Sequence, residues 1–240
     1  MKVSELQKSS NFKLLQFSEP GAGKTFRAMS ALAYGPVYVI DTDNKFGGLV
    51  PRLEAAYGKD VINSQVDVDT PKSAADFTTI MTNLSKKAES FSTVVLDTQS
   101  RAFDMVLDAV KAANPKGDGR QIFGAALERN IAYLNRFLSL PCNIIINAHV
   151  GAEEMADGTS KLTSTTPGKF GKKMTEYFNE VHYLYLNTTN QHRVRGEPSA
   201  SVVARTVVNK DQLDNLGVFK STDLSIFNDI AYRTKGVGGL

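Results

Sequence analysis

Eight consecutive residues, Ser18-Glu19-Pro20-Gly21-Ala22-Gly23-Lys24-Thr25, carry the most specific chemistry in the chain. They match the phosphate-binding loop pattern everywhere except its first position, where Ser18 stands in place of glycine. Gly21 and Gly23 let the backbone turn with its N–H groups pointing inward, and a helix beginning near Thr25 adds the partial positive charge of its N-terminus. Such a nest takes the α and β phosphates of a nucleotide, while Lys24 reaches the β and γ phosphates and the Thr25 hydroxyl ligates Mg²⁺. The small Ser18 side chain fits at a strand exit. A glycine-rich turn can match part of this pattern by accident, but the apolar run before it and the helical run after it supply the strand-loop-helix setting.

Three further polar groups sit where apolar runs end. Thr93-Val94-Val95-Leu96-Asp97 delivers a carboxylate at the tip of a strand, the edge where ligands collect in open α/β sheets. Asp97 there would hold Mg²⁺ beside Thr25 through a bridging water; alone, it would read equally as a helix cap. Val37-Tyr38-Val39-Ile40-Asp41-Thr42-Asp43 also runs out into acids. Asp43 is the candidate to orient an attacking water and Asp41 reads as structural, the alternative being that both cap a loop. Asn147-Ala148-His149 closes a fourth run. There His149 either senses the γ phosphate and passes its state to the following loop, or is a satisfied structural histidine. His182 and His192 have no partners at metal-ligand spacing.

The runs that must position these groups are Phe12 to Phe17, Val37 to Ile40, Thr93 to Leu96 and Asn143 to Ala148. Each is strand-length and rich in Val, Ile or Leu, without the polar alternation of a half-solvated strand, as in strands buried on both faces of a parallel sheet. Between them the spacing turns helical. Ala74, Phe77, Met81, Leu84 and Ala88 follow one face, with Thr70 and Pro71 at cap and first-turn positions. Phe103, Val106, Leu107 and Val110 form a second face, and Ile122, Ala126, Leu127, Ile131, Leu134 and Leu138 a third. Alternation of strand and helix gives an α/β core, a mostly parallel central sheet flanked by helices.

Beyond His149 the texture changes. Residues 151–173 are rich in Gly, Ser and Thr and carry Lys161, Lys169, Lys172 and Lys173, which reads as a long, mobile, basic loop. Short β-like runs at Val181 to Leu186, His192 to Val194 and Ser201 to Val208 predict a late antiparallel extension, followed by a small helix with Leu224, Phe227 and Ile230 on one side. The expected organisation is a flexible segment at 1–11, one domain at 12–234 and a glycine-rich tail at 235–240.

The 240 residues are 42% hydrophobic, enough for one sizeable core. With 28 Lys+Arg against 25 Asp+Glu the net charge is +3, so a polyanion would be held by a local patch rather than by the whole field. A single cysteine, Cys142, excludes an internal disulfide framework and suits a reducing cytoplasm. No apolar stretch has signal-peptide or membrane-spanning length.

With these elements in order, the chain resembles a RecA-type P-loop ATPase core. More narrowly, it is similar to the short phage-encoded nucleotide-binding proteins of the single-strand annealing recombinase class. The resemblance spans roughly residues 12 to 210 and rests on Glu19 to Thr25, Ile40-Asp41-Thr42-Asp43, Leu96-Asp97-Thr98 and Ala148-His149. It implies ATP and Mg²⁺ as cofactors, with Glu19, Pro20, Gly21, Ala22, Gly23, Lys24, Thr25 and Phe26 around the nucleotide and Thr25 and Asp97 on the metal. Lys24, Asp43, Asp97 and His149 then form the catalytic set. The family has glutamate as its base, and Asp43 is one methylene shorter, which bears on hydrolysis rate.

The resemblance also implies a ring- or filament-forming homo-oligomer in a bacterial cytoplasm. Its partners would be single-stranded DNA and a phage single-strand-binding protein, and its role recombination or annealing. Lys161, Lys169, Lys172 and Lys173 would track a strand, with Phe170 stacking on a base, unless the lysines are only a solvated face. One of Arg193, Arg195 and Arg205 would reach across a subunit boundary, or each would be a surface ion-pair residue.

Rival readings are weaker. Asn209-Lys210-Asp211 suggests guanine recognition, but position 212 is Gln where an acid is needed, and a kinase lid would need arginines after His149. A nucleotide-dependent scaffold or loader with slow or no hydrolysis stays open because of Asp43.

Overall fold

The computed structural model describes residues 11–154, 158–165, 174–190, 192–196, 198–205 and 219–220. The expected strands form: β1 (Lys13–Ser18), β2 (Val37–Asp41), β4 (Thr93–Asp97) and β5 (Asn143–Glu154), with β3 (Val66–Asp69) added between the second and third. Later come β6 (Ser160–Ser164), β7 (Glu180–Leu186), β8 (His192–Arg195) and β9 (Phe219–Lys220). Helices α1 (Lys24–Ala28), α2 (Val50–Tyr57), α3 (Lys59–Gln65), α4 (Ala74–Lys87), α5 (Gln99–Ala113) and α6 (Gly119–Leu138) connect them.

Among the described residues the sheet order is β3-β2-β4-β5-β1-β7-β8-β9, with β6 paired to β5. Every pairing from β3 through to β7 is parallel, and the antiparallel extension begins at β8. Two strands, β4 and β5, therefore lie between β1 and its chain successor β2, which opens a crevice at the carboxyl ends of the strands. The continuous apolar runs have the predicted cause: every residue of β2 and β4 is buried. Alternate side chains feed two cores. Leu15, Phe17, Ile144 and Ile146 pack with Phe77, Met81 and Phe137 on one face, while Leu14, Val39, Val95 and Ile145 pack with Met29, Phe46 and Leu53 on the other.

Local chemistry starts the helices. The Ser73 hydroxyl accepts Asp76 N–H at 3.1 Å and caps α4, so Thr70 and Pro71, expected at the cap and first turn, precede the helix instead. Thr98 caps α5 by accepting Arg101 N–H at 3.3 Å, which ties that helix to the strand carrying Asp97.

The loop expected over residues 151–173 is corrected in the part described. Gly151 to Glu154 continue β5 and pair antiparallel with β6, from Val150↔Ser164 to Glu154↔Ser160. His149 is thus mid-strand. This hairpin is polar and lacks apolar alternation, but its backbone ladder satisfies its amides, and Gly158 at φ 78° suits the turn. Ser201 to Val208 is a second correction: Val202 and Arg205 make isolated bridges to Leu162 and Val181 rather than a strand, and 206–208 lie outside the described residues. The helix expected around Leu224, the segment 1–10 and the tail 235–240 also lie outside them.

Candidate nucleotide site

The loop after β1 has the conformation its glycines require. Gly21 and Gly23 adopt φ 81° and 89°, in the left-handed region where a Cβ is strained. Buried Lys24 turns its ammonium back over the strand exit: Nζ donates to Ser18 Oγ at 2.7 Å, Ser18 O at 3.1 Å and Glu19 O at 3.3 Å. Ser18 Oγ in turn donates to Glu19 O at 2.7 Å. The residue that departs from the loop pattern therefore supplies a hydroxyl acceptor to the loop lysine. Burial lowers the Lys24 pKa, opposed by the charges of Asp97, Glu19 and Asp43.

Asp97 ends β4 only 8% exposed, and Thr25 Oγ1 donates to its Oδ2 at 2.5 Å. Its other oxygen accepts Asn147 Nδ2 at 3.2 Å. Burial raises the Asp97 pKa above the usual carboxylate range, while the bonds from Thr25 and Asn147 pull it back down. The Asp97–Thr98 peptide is cis. Thr42 Oγ1 accepts Thr98 N–H at 2.7 Å and donates to Thr98 O at 2.9 Å, locking the tips of β2 and β4 together.

A cavity of about 410 Å³ opens over these tips, within the range of small-molecule sites. Of the residues predicted for the site, Pro20, Gly21, Gly23, Lys24, Thr25, Phe26, Asp43, Asp97 and His149 line it. Glu19 and Ala22 contribute to the loop outside the lining, Glu19 exposed and Ala22 buried. Asp43 accepts Lys45 Nζ at 3.3 Å, and Asp41 Oδ2 accepts Phe46 N–H at 2.8 Å, pinning the turn that brings Lys45 and Phe46 to the cavity wall. His149 donates its backbone N–H to Ser100 Oγ at 3.2 Å.

Lys161 sits on β6 opposite Glu153 and does not line the cavity. Lys169, Phe170, Lys172 and Lys173 lie outside the described residues. Arg193 donates to its neighbour's carbonyl, Arg195 to Ser199 Oγ at 3.2 Å, and Arg205 is exposed.

Sequence reasoning missed several residues here. Arg52, from α2, places its guanidinium 4.5 Å from the Phe26 ring centroid on the cavity wall. His192 Nδ1 donates to Ala22 O at 3.0 Å and its ring packs against Gly23, so β8 braces the loop. Gln16 and Asn147 were marked only by being polar inside apolar runs.

A strand-loop-helix phosphate cradle, a strand-tip carboxylate bonded to its threonine and a cavity over both are the features of a P-loop ATPase. Residues 10–208 match the AAA domain family. The chain belongs to that family. None of the curated proteins matches it. For this AAA-domain protein the family carries nucleotide-dependent ATPase chemistry, and the fold is that of a P-loop NTPase core. The donors fit magnesium: one hydroxyl and one carboxylate meet at the cavity, both hard oxygen ligands. Among the described residues no group of three or more His, Cys, Asp or Glu could hold a metal by itself, so a cation here would share its shell with phosphate oxygens and water. No described helix is long and apolar enough to cross a membrane.

Proposed function

We propose that this chain is a RecA-like, Mg²⁺-ATP-dependent ATPase that assembles into a homo-oligomer on single-stranded DNA and serves phage recombination or strand annealing. The observation that carries the nucleotide half is the 2.5 Å contact of Thr25 Oγ1 with Asp97 Oδ2 beside Lys24 at the cavity. The loop N–H groups bind the α and β phosphates and Lys24 leaves the Ser18 hydroxyl for the γ phosphate. Magnesium held by Thr25 and Asp97 would neutralise charge on the β and γ phosphates. Asp43 orients the attacking water, and His149 reads the γ phosphate from β5.

The DNA half is supported by a face of β7 and β8 that interleaves aromatic and cationic side chains. Tyr183 and Tyr185 stack at 5.5 Å with an 11° interplanar angle, and their strand partners are Arg195 and Arg193. Rings for bases and guanidiniums for phosphates are what a single strand requires. Lys161 on β6, and Lys169, Lys172 and Lys173, which lie outside the described residues, would add positive charge for the strand's phosphates. The second reading, a scaffold or loader for a replication or recombination partner with slow hydrolysis, is favoured by the Lys45 ion pair that occupies Asp43.

ATP turnover with and without single-stranded DNA, for the wild type and Lys24→Ala, tests both halves. Stimulated turnover that vanishes in Lys24→Ala supports the proposal. Turnover indifferent to DNA, with no DNA binding, rejects the recombination role and leaves the scaffold. Asp43→Asn should bind ATP and lose turnover; unchanged turnover removes Asp43 from the mechanism.

A further inference from the structure

A row of polar side chains crosses the sheet beneath the site. Asp97, Asn147, Gln16 and His182 are register partners on β4, β5, β1 and β7, and Gln16 and Asn147 are fully buried. Amides placed there are costly unless every polar atom is matched. They are matched through Arg27 of α1. Arg27 donates from Nη1 to Gln16 Oε1 and from Nη2 to His182 Nδ1 at 2.9 Å. Gln16 Nε2 donates to Asn147 Oδ1 at 3.0 Å, and Asn147 Nδ2 donates to Asp97 Oδ1 at 3.2 Å. On the other branch His182 Nε2 lies 2.9 Å from Glu180 Oε2, both residues buried.

The direction of every bond is forced by its ends. A guanidinium only donates and a carboxylate only accepts, so each amide between them has one orientation, oxygen toward Arg27 and NH₂ toward Asp97. By the same logic His182 accepts at Nδ1 and carries its proton on Nε2, toward Glu180. Arg27 is thus the source of two donor chains, each ending on a buried carboxylate. One of those carboxylates is Asp97.

We propose that Arg27, acting through Gln16 and Asn147, is a positioning residue for the magnesium carboxylate. The chain fixes Asp97 Oδ1 on Asn147 and so presents Oδ2 to Thr25, which shares α1 with Arg27. Hydrogen bonds in series polarise one another, so a cation at one end strengthens the grip on the carboxylate at the other. The inference rests on the Mg²⁺-nucleotide reading of the site, and it adds residues that touch neither nucleotide nor metal.

Gln16→Glu is the discriminating variant. It keeps the acceptor for Arg27 and has no proton to give Asn147, so the Asn147 amide turns its oxygen on Asp97. Binding of a fluorescent ATP analogue is measured by titration with Mg²⁺ and again in EDTA. Supporting residues behind a metal ligand change metal affinity by roughly 10- to 100-fold, and the Mg²⁺ needed for half-maximal enhancement should rise by about that factor. Affinity in EDTA should stay within about twofold. Gln16→Met, unbranched and of similar volume, carries the same expectation should the glutamate variant fail to fold. Wild-type Mg²⁺ dependence in the folded variants overturns the positioning chain, as does an equal loss with and without Mg²⁺, which marks damage to the phosphate loop. A wild type that binds no magnesium nucleotide overturns the site reading itself.

Discussion

Replacing Ser18 tests how the phosphate loop is held. Its hydroxyl, fully buried, accepts Lys24 Nζ at 2.7 Å and donates to Glu19 O at 2.7 Å. Ser18→Ala leaves the buried ammonium with two carbonyl acceptors, Ser18 O at 3.1 Å and Glu19 O at 3.3 Å. Loss of a hydrogen bond to a charged group costs about 1.5–3 kcal/mol. In a chain of this size each kcal/mol lowers the unfolding midpoint by about 2–4 °C, so the alanine variant should melt about 3–12 °C below wild type. Ser18→Gly, which restores the usual loop residue, adds about 0.5–1 kcal/mol of unfolded-chain entropy and should melt lower still. Neither change touches the phosphate-facing amides, and Lys24 is less strongly held at the strand exit, so nucleotide affinity should be retained or improved. Calorimetric unfolding of the three proteins, paired with nucleotide titration, provides the check. An alanine variant that melts with wild type, or that loses nucleotide binding, refutes the argument.

Thr25→Val keeps the shape and removes the hydroxyl bonded to Asp97. Mg²⁺ enhancement of nucleotide binding should fall roughly 10- to 100-fold, the equivalent of one contact to a charged group, while affinity in EDTA is unchanged; equal losses would contradict the metal assignment. Burial pushes the Cys142 thiol up to about 11, so at pH 8 only about one thiol in a thousand is ionised. Alkylation followed by mass spectrometry should therefore be slow in the native protein and fast in denaturant, and rapid native labelling would show the thiol to be open. The sign for stability follows: the unfolded chain gives up this proton first, so the contribution of Cys142 is intact below about pH 9 and lost as pH rises toward 11. Met81→Ala, at a fully buried position between α4 and the sheet, should cost about 2–5 kcal/mol in urea unfolding, and a cost below about 1 kcal/mol would mean the core collapses around the gap.

The central strands were legible because both their faces are buried, which leaves runs dominated by apolar residues, with little polar alternation and no competing helical spacing. The phosphate loop and Asp97 were legible because each follows such a run. Strand β3 was not: Val66-Asp67-Val68-Asp69 lies at the sheet edge, Val68 is 37% exposed, and four alternating residues carry little pattern. The β5–β6 hairpin escaped because its stability lies in backbone pairing rather than side-chain type. Arg27 and His182 are 155 residues apart, and only tertiary structure brings them together. Gln16 and Asn147 stand out as amides among the apolar residues of buried strands, but nothing in the chain order says they face each other.

The position of β1 bears on when this molecule becomes competent. Its neighbours are β5 and β7, and Gln16 meets Asn147 across 131 residues of chain. During synthesis β1 emerges before either of its flanking strands, and His192, which braces the loop at Ala22, leaves the ribosome later still. Closure of such distant pairings is slow and exposes apolar edges meanwhile. A nucleotide therefore cannot template the early nascent chain; support of the loop is completed only once β7 and β8 have been translated, and a product truncated before them would carry the whole signature motif without a working cradle.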